Sequence, residues 1–241
     1  MKKTIFINGK KIEYELIFKK VKNINMRIHR DGQITVSANK RVPEITIDRF
    51  MTDRSDFITS ALERFAGYKT SSFAFEDGDE VLVLGTPYRV KNELGARLGA
   101  ALTDDGIIVI RTPDNSDKSR RKAVIKLYEE KCEELILPMC AEICKHLAHI
   151  CDDMPEICFR KAKSRWGSCY SVKRKIIFNK LLAAVPIECV RYVIYHEFMH
   201  LAHPDHSSKF YKSLEIYLPE HKELKKRLHT YSAVLDFPSD K

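Results

Sequence analysis

The 241-residue sequence lacks any apolar run of membrane-spanning length, and its first residues lack the sustained apolar stretch of a signal peptide. It also lacks internal repeats and low-complexity linkers. With 44% hydrophobic and 31% charged residues, its composition is ordinary for a globular protein. We therefore expect one large or two small domains, a cytoplasmic location and no membrane partner.

The sequence has seven cysteines but no C-x-x-C pair, and the count is odd. These features argue against the disulfide framework of small secreted proteins. We expect reduced thiols packed in or near a core. The alternative is a metal site at Cys140 and Cys144, which are one helical turn apart and close to His146 and His149.

Acidic residues are absent from positions 157–187, where eight basic residues occur: Arg160, Lys161, Lys163, Arg165, Lys173, Arg174, Lys175 and Lys180. Because the net charge is also +9, this basic segment favours anionic partners such as phosphates or nucleic acid. Arg165 is the best candidate for a contact with a substrate or an oxyanion. The alternative is that these charges face solvent and that Trp166, the only tryptophan, packs internally instead of stacking on a base.

The first half of the sequence reads as hairpins. Asn8-Gly9 and Asp31-Gly32 are turn signals between alternating segments. One helix is expected from about residue 43 to 65. Further strands are expected over residues 80–84, 88–93, 97–102 and 106–111.

The second half is mainly helical. A helix predicted over residues 119–137 should kink or break at Pro138 and continue to about residue 149. A strand pair at 157–162 and 175–179 and three helices follow, and the charges of the last helix suggest only a solvated face. The predicted fold class is α+β, with a β-rich domain over residues 1–113 and a mainly helical domain with a short β-sheet over residues 114–241.

Four of the nine histidines fall within eleven positions, and two of them are the first and last residues of the string His196-Glu197-Phe198-Met199-His200. On a helix, His196 and His200 lie one turn apart on one face, so two neutral ring nitrogens can reach one divalent metal. Glu197 points away from the helix face that carries the two histidines, so it can act on a water molecule at the metal without binding the metal itself. The alternative is a pair of core histidines bonded to backbone carbonyls.

A catalytic zinc ion needs a third protein ligand and an open position for water. His206 follows His196 by ten residues, a spacing shared with the metzincin proteases, in which a glycine turns the chain. Here Pro204 ends the helix and can provide the turn that brings His206 back to the metal. His203, at the end of the helix, is the alternative third ligand.

Three parts of the sequence resemble the YgjP-like metal-dependent hydrolases, which are related to the SprT-like and WLM zinc proteases. They are Ser164-Arg165-Trp166-Gly167-Ser168-Cys169, Ile176-Ile177-Phe178-Asn179, and the string from Tyr195 to Leu201 with the following His206-Ser207-Ser208-Lys209-Phe210-Tyr211. The resemblance is specific from about residue 160 to 212. It implies a zincin-like C-terminal domain in which His196, His200 and His206 bind zinc and Glu197 is catalytic. Tyr211 stands where the family usually has tryptophan, and an aromatic ring there should keep the packing role.

Three functions are compatible with these residues. The first is a zinc-dependent metallopeptidase acting on a peptide or protein, the class to which the resembling family is assigned. The second is a nucleoside triphosphate pyrophosphatase that uses the same metal site and the basic segment, an activity associated with some relatives. The third is a nucleic-acid-binding module with structural zinc, against which Glu197 and the three-histidine set argue. Nickel, cobalt or manganese would also suit three histidines.

Overall fold

Tertiary contacts divide the chain into two compact units, Met1–Ser72 and Phe73–Lys241. The computed structural model describes residues 1–7, 9–28, 32–66 and 73–238. The sequence predicts a domain boundary after residue 113, whereas the division by contacts falls earlier, after Ser72. It comes earlier because strands between residues 99 and 112 pack against the long helix that follows them. In the described residues, no helix is long and apolar enough to cross a membrane.

The first unit contains a four-stranded sheet in the order β1-β2-β4-β3. The strands are β1 (Lys2–Ile7), β2 (Lys10–Phe18), β3 (Asn25–Ile28) and β4 (Ile34–Ala38). Both predicted hairpins form, since β1 pairs antiparallel with β2 and β3 with β4. Residue 8 of the first predicted turn and residues 29–31 at the second lie outside the described residues. Alternate side chains of β2 and β4 are buried, as the alternating sequence pattern requires.

The single helix predicted over residues 43–65 is two helices, α1 (Glu44–Thr52) and α2 (Ser55–Ala66). The chain turns at Asp53 and Arg54 between them. The Arg54 guanidinium lies 3.8 Å from the centroid of the Phe50 ring and donates to the Phe50 carbonyl, which stabilises the turn. Ile47, Met51 and Ile58 from these helices are fully buried with the sheet in one hydrophobic cluster.

The second unit begins with a sheet in the order β5-β6-β8-β7. Its strands agree with the prediction and are β5 (Glu80–Val83), β6 (Thr86–Leu94), β7 (Gly99–Leu102) and β8 (Ile107–Thr112). Leu84 and Gly85 form the β5–β6 turn with φ values of 51° and 81°. Their N–H groups donate to the carbonyls of Ala183 and Ala184, at 2.7 and 3.0 Å. The turn thereby fixes the segment that leads into the histidine-bearing helix.

The helix α3 (Asp117–His146) runs without interruption through Pro138. Of the two outcomes predicted there, a kink or a break, the break is wrong. Pro138 is exposed, and buried residues lie on the opposite side of the helix at Ile136 and Cys140. Packing of this apolar face outweighs the loss of one backbone hydrogen bond at the proline.

A three-stranded sheet in the order β10-β11-β9 follows α3. The predicted pair, β9 (Glu156–Arg160) and β11 (Lys175–Asn179), is parallel. Between them in sequence lies β10 (Gly167–Tyr170), which pairs antiparallel with β11 and was not predicted as a strand. A short 3-10 helix, Lys180–Ala184, continues from β11.

Three helices complete the second unit: α4 (Ile187–Met199), α5 (Ser208–Tyr217) and α6 (His221–Thr230). Helix α4 contacts α3, α5, α6 and β10, and is therefore enclosed on most sides. In the described residues of this unit, the buried apolar side chains form one hydrophobic cluster, to which the sheet of β5 to β8 and helices α3 to α6 all contribute. The β-strands and the mainly helical second half confirm the α+β fold class.

Candidate metal centre

Helix α4 carries the histidine string at its C-terminal end. Nine of its thirteen residues are buried because the helix is apolar on nearly every side. His196 and His200 project from one face of its last turns, and their ring centroids are 4.9 Å apart. The ring centroid of Phe210 lies 4.9 Å from that of His196 and 4.7 Å from that of His200, so both imidazoles pack against an apolar ring.

The chain reverses after α4 and brings a third histidine to the same place. Helix α4 ends at Met199, but one further turn of hydrogen bonding follows, in which the N–H of His203 donates to the carbonyl of Met199 at 2.9 Å, and Pro204 comes directly after this turn. Asp205 accepts a hydrogen bond from the N–H of Ser207 and so stabilises the turn into α5. His206 consequently lies with its Nε2 atom 2.9 Å from Nε2 of His196.

One ring nitrogen from each of His196, His200 and His206 lies within 4.8 Å of the other two, so the three side chains could hold a metal ion. Nδ1 of His200 is 2.9 Å from the carbonyl oxygen of His203, which leaves Nε2 free as a ligand atom. The buried Nδ1 of His196 has no hydrogen-bond partner in the described part of the chain. His196 is therefore not a core histidine satisfied by the backbone.

The rival third ligand points elsewhere. Nε2 of His203 lies 3.0 Å from the hydroxyl of Ser213 on α5. This contact uses the ring to join the turn to α5, and His203 is not part of the three-histidine group. Cys140 and Cys144 are not part of it either, since both are buried in the hydrophobic cluster. All seven cysteines are free thiols.

The electrostatic environment favours the neutral form of His196 and His206. Burial, together with the neighbouring His200 and His206, lowers the pKa of His196 to about 3. Burial also lowers the pKa of His206, with a further contribution from His200. Neutral imidazole is the form that binds metals, so His196 and His206 need no deprotonation near pH 7.

Glu197 is a buried carboxylic acid without a partner. It is 6% exposed, and its carboxylate has no hydrogen bond or ion pair with any residue that the structure describes. Burial raises the pKa of Glu197 to about 8, and the charge of Arg165 opposes that rise. A divalent cation among the adjacent imidazoles would supply the missing positive charge. The residues present thus fit a bound metal ion.

Gly167 at the start of β10 makes room for this carboxylate. A Cβ atom built on Gly167 would lie 2.6 Å from Oε1 of Glu197, closer than atoms can approach. Gly167 belongs to the string from Ser164 to Cys169, but its position in the sequence does not explain why a glycine is needed there. The structure explains it, because β10 and α4 meet at this point although Gly167 and Glu197 are thirty residues apart in sequence.

A cleft of about 400 Å³ opens between the histidines and β10. Arg165 lines it together with Ser168 and Cys169, and it is exposed there. Burial, with the nearby Glu197 charge as a second cause, raises the pKa of Cys169 to about 12. Cys169 is therefore a neutral thiol and not a reactive nucleophile.

Of the eight basic residues in the segment predicted to attract anions, only Arg165 lines this cleft. Four others are bound within the protein: Lys161 to the Pro238 carbonyl, Arg174 to the Asp153 carbonyl, Lys175 to Glu156 and Lys180 to Glu129. Trp166 is partly buried against the hydrophobic cluster. Packing is therefore the role that the structure gives Trp166.

Asn179 positions the loop that carries Arg165, a role that sequence reasoning did not assign. The side chain is 2% exposed. Its Nδ2 donates to the carbonyls of Ala162 and Arg165, at 2.7 and 2.8 Å, and its Oδ1 accepts from the N–H of Leu181. A polar residue ending an apolar strand was the available signal, since a buried amide must find several partners.

Comparison with known proteins identifies a family for this chain. The sequence model of the YgjP-like family, metallopeptidase domain, matches residues 22–231. None of the curated proteins compared with the chain matches it. The family match includes the three histidines and Glu197, and it extends well beyond the residues that carry the resemblance in sequence. The chain therefore belongs to the YgjP-like family of metallopeptidase domains, a designation that indicates a metal-dependent hydrolase.

Proposed function

We propose that the protein is a zinc-dependent peptidase in which His196, His200 and His206 hold the ion and Glu197 is the general base. The observation that carries this proposal is the buried, unpaired Glu197 carboxylate beside three converging imidazoles. Three protein ligands next to a cleft are typical of catalytic zinc, whereas structural zinc is usually enclosed by four ligands that include cysteine. Nickel, cobalt or manganese would suit the same nitrogen ligands.

The residues around the cleft divide the chemistry between them. A bound zinc ion supplies a Lewis acid that polarises the scissile carbonyl and lowers the pKa of a water molecule. Glu197 accepts a proton from the attacking water and delivers it to the nitrogen of the leaving amine. Arg165 contacts the carbonyl oxygen as negative charge develops on it. Gly167 keeps the Glu197 carboxylate close to β10.

The edge of β10 suits an extended peptide. This strand is at the end of its sheet and pairs with β11 on one side. Ser168 and Cys169 on β10 also line the metal cleft. A peptide that adds to this edge as a further strand would bring a backbone carbonyl toward the histidines. Backbone hydrogen bonds of this kind recognise a peptide and not a nucleotide.

A phosphate cradle for nucleotides has less support. Four of the eight basic residues in the segment already have partners within the protein, and Arg165 is the member that lines the cleft. Phosphoryl groups usually need several cations at once. Peptidase activity therefore ranks ahead of nucleoside triphosphate pyrophosphatase activity, and ahead of nucleic-acid binding with structural zinc.

The test is to assay the zinc-loaded protein against casein and nucleoside triphosphates in parallel. Wild type should release peptides from casein, and Glu197→Gln should retain zinc but lose turnover by about 10²- to 10⁴-fold. Glu188→Gln is the matched control because Glu188 is on the same helix but forms an exposed pair with Arg227. It should retain full turnover.

Two results would contradict the proposal. Full casein cleavage by Glu197→Gln would remove Glu197 from the mechanism. Pyrophosphate release by wild type, absent in Glu197→Gln and without casein cleavage, would make the protein a phosphohydrolase.

A further inference from the structure

Helix α6 carries four basic residues, of which one has no acidic partner. Lys222 pairs with Glu215, Lys226 with Glu223, and Arg227 with Glu188. Lys225 forms no ion pair with any residue that the structure describes, and the sequence explains why. Its helical neighbours three and four positions away are His221, Lys222, Leu228 and His229, none of which is acidic.

Lys225 lies on the side of the metal centre formed by His206. Its Nζ atom is 5.9 Å from the centroid of the Tyr211 ring, within the range of a cation–π contact. The Tyr211 ring is in turn 6.2 Å from the ring of His206. The Tyr211 ring is thus a neighbour of both Lys225 and His206, and its role is not limited to packing in the core.

Arg165 is a second cation with no ion pair among the described residues, and it lines the metal cleft. Lys225 does not line the cleft itself but lies next to the Tyr211 ring, on the His206 side of the centre. Unpaired surface cations close to a binding site attract anions and favour negatively charged substrates. Arg165 has a place in the proposed mechanism, whereas Lys225 has none.

We propose that Lys225 determines specificity by binding the carboxylate of an acidic side chain close to the scissile bond of the peptide. This inference rests on the proposed peptidase function. The Tyr211 ring limits the positions of the flexible lysine stem, and the ammonium group offers three donors to a carboxylate. The site thereby selects acidic peptides without a pocket dedicated to the side chain.

The test uses peptide pairs that differ by one Glu or Gln, placed in turn at each position within about three residues of the cleaved bond. At one position, wild type should prefer Glu by about fivefold in kcat/KM, the effect of one exposed ion pair. Lys225→Gln should lose that preference and cleave the Gln peptide as wild type does. The preference should also shrink with added salt, because exposed charges are screened.

Two variants control for charge and for helix structure. Lys225→Arg keeps the positive charge and should keep the Glu preference. Lys226→Gln removes the adjacent lysine, which pairs with Glu223, and should also keep it. Zinc content should be equal in all variants, because none of the substitutions touches a ligand.

The outcomes separate this inference from the proposed function. If wild type cleaves the peptides but shows no Glu preference, or if Lys225→Gln retains the preference, Lys225 does not determine specificity while the peptidase stands. If wild type cleaves no peptide in the series or casein, the peptidase function is wrong and the role of Lys225 is wrong with it.

Discussion

At the scale of single residues, the distinction between structural and functional polar groups follows from their partners. Asn179 is buried, and both ends of its amide are hydrogen-bonded. Glu197 is almost as buried but has no partner in the described residues, and the buried Nδ1 of His196 has no hydrogen-bond partner there either. A buried polar group left without a partner costs about 1–3 kcal/mol, so the presence of two such groups side by side points to function.

The identity of the third ligand can be tested by comparing two histidines on one turn. His206→Ala should lower the zinc content of the purified protein well below one ion per chain, because two protein ligands bind zinc weakly. His203→Ala should keep one ion, since its ring bonds to Ser213. Metal analysis of both variants measures this directly. The reverse pattern, with zinc lost in His203→Ala, would reassign the ligand.

The contact between Gly167 and Glu197 predicts a variant that binds metal but turns over slowly. Gly167→Ala places a methyl group 2.6 Å from Oε1 of Glu197, which is too close for contact, so the carboxylate must move. A shift of about 1 Å can cost about 10²-fold in rate. We expect kcat to fall by that order with zinc content unchanged, measured by peptide cleavage and metal analysis.

Gly99→Ala is the control for that variant. Gly99 also lies in a strand of the second unit, but a Cβ atom there would meet nothing within 4 Å. It should have wild-type kcat. Equal loss of activity in both variants would mean that glycine matters for strand structure and not for Glu197.

Sequence spacing predicted the histidine string because His196 and His200 belong to one helix, where local geometry is fixed. His206 could also be proposed, because Pro204 must end the helix. Gly167 and Asn179 could not be given roles in the same way. Their roles depend on distances between segments far apart in sequence, and periodicity contains no information about those distances.

At the scale of elements, patterns predicted the strands that alternate and missed the one that does not. Strands β2 and β4 alternate apolar and polar residues, and both predictions are confirmed. Strand β10 has the sequence Gly-Ser-Cys-Tyr, with no β-branched residue to indicate a strand. It is extended because its backbone pairs with β11, a tertiary effect that a local pattern cannot reveal.

Helix α3 offers a prediction about stability. Pro138 lacks the N–H that would bond to the carbonyl of Glu134, yet the helix continues through it. Pro138→Ala should raise the free energy of unfolding by about 2 kcal/mol, because the restored hydrogen bond outweighs the added freedom of the unfolded chain. Urea denaturation measures the change.

The matched control is Glu133→Ala, an exposed change in the same helix. Its effect should stay within about 0.5 kcal/mol. A destabilised Pro138→Ala protein would show that the proline fits a bend on which the packing of α3 depends.

At the scale of the whole molecule, the family match and the contact division describe different boundaries. The matched residues, 22–231, begin within the first unit and end near the close of the second. All residues of the candidate metal centre belong to the second unit. The family domain therefore includes more of the chain than metal binding itself requires.

The second unit should therefore bind zinc on its own. Its hydrophobic cluster consists entirely of residues from 73 onward, while the first unit has a separate cluster. A fragment of residues 73–241 should fold cooperatively and bind about one zinc ion, as thermal denaturation by circular dichroism and metal analysis would show. The same fragment with His206→Ala is the control and should fold but lose most of the zinc. An unfolded fragment would mean that the core of the second unit is not stable without residues 1–72. The boundary at Ser72 would then separate two groups of contacts but not two independently stable domains.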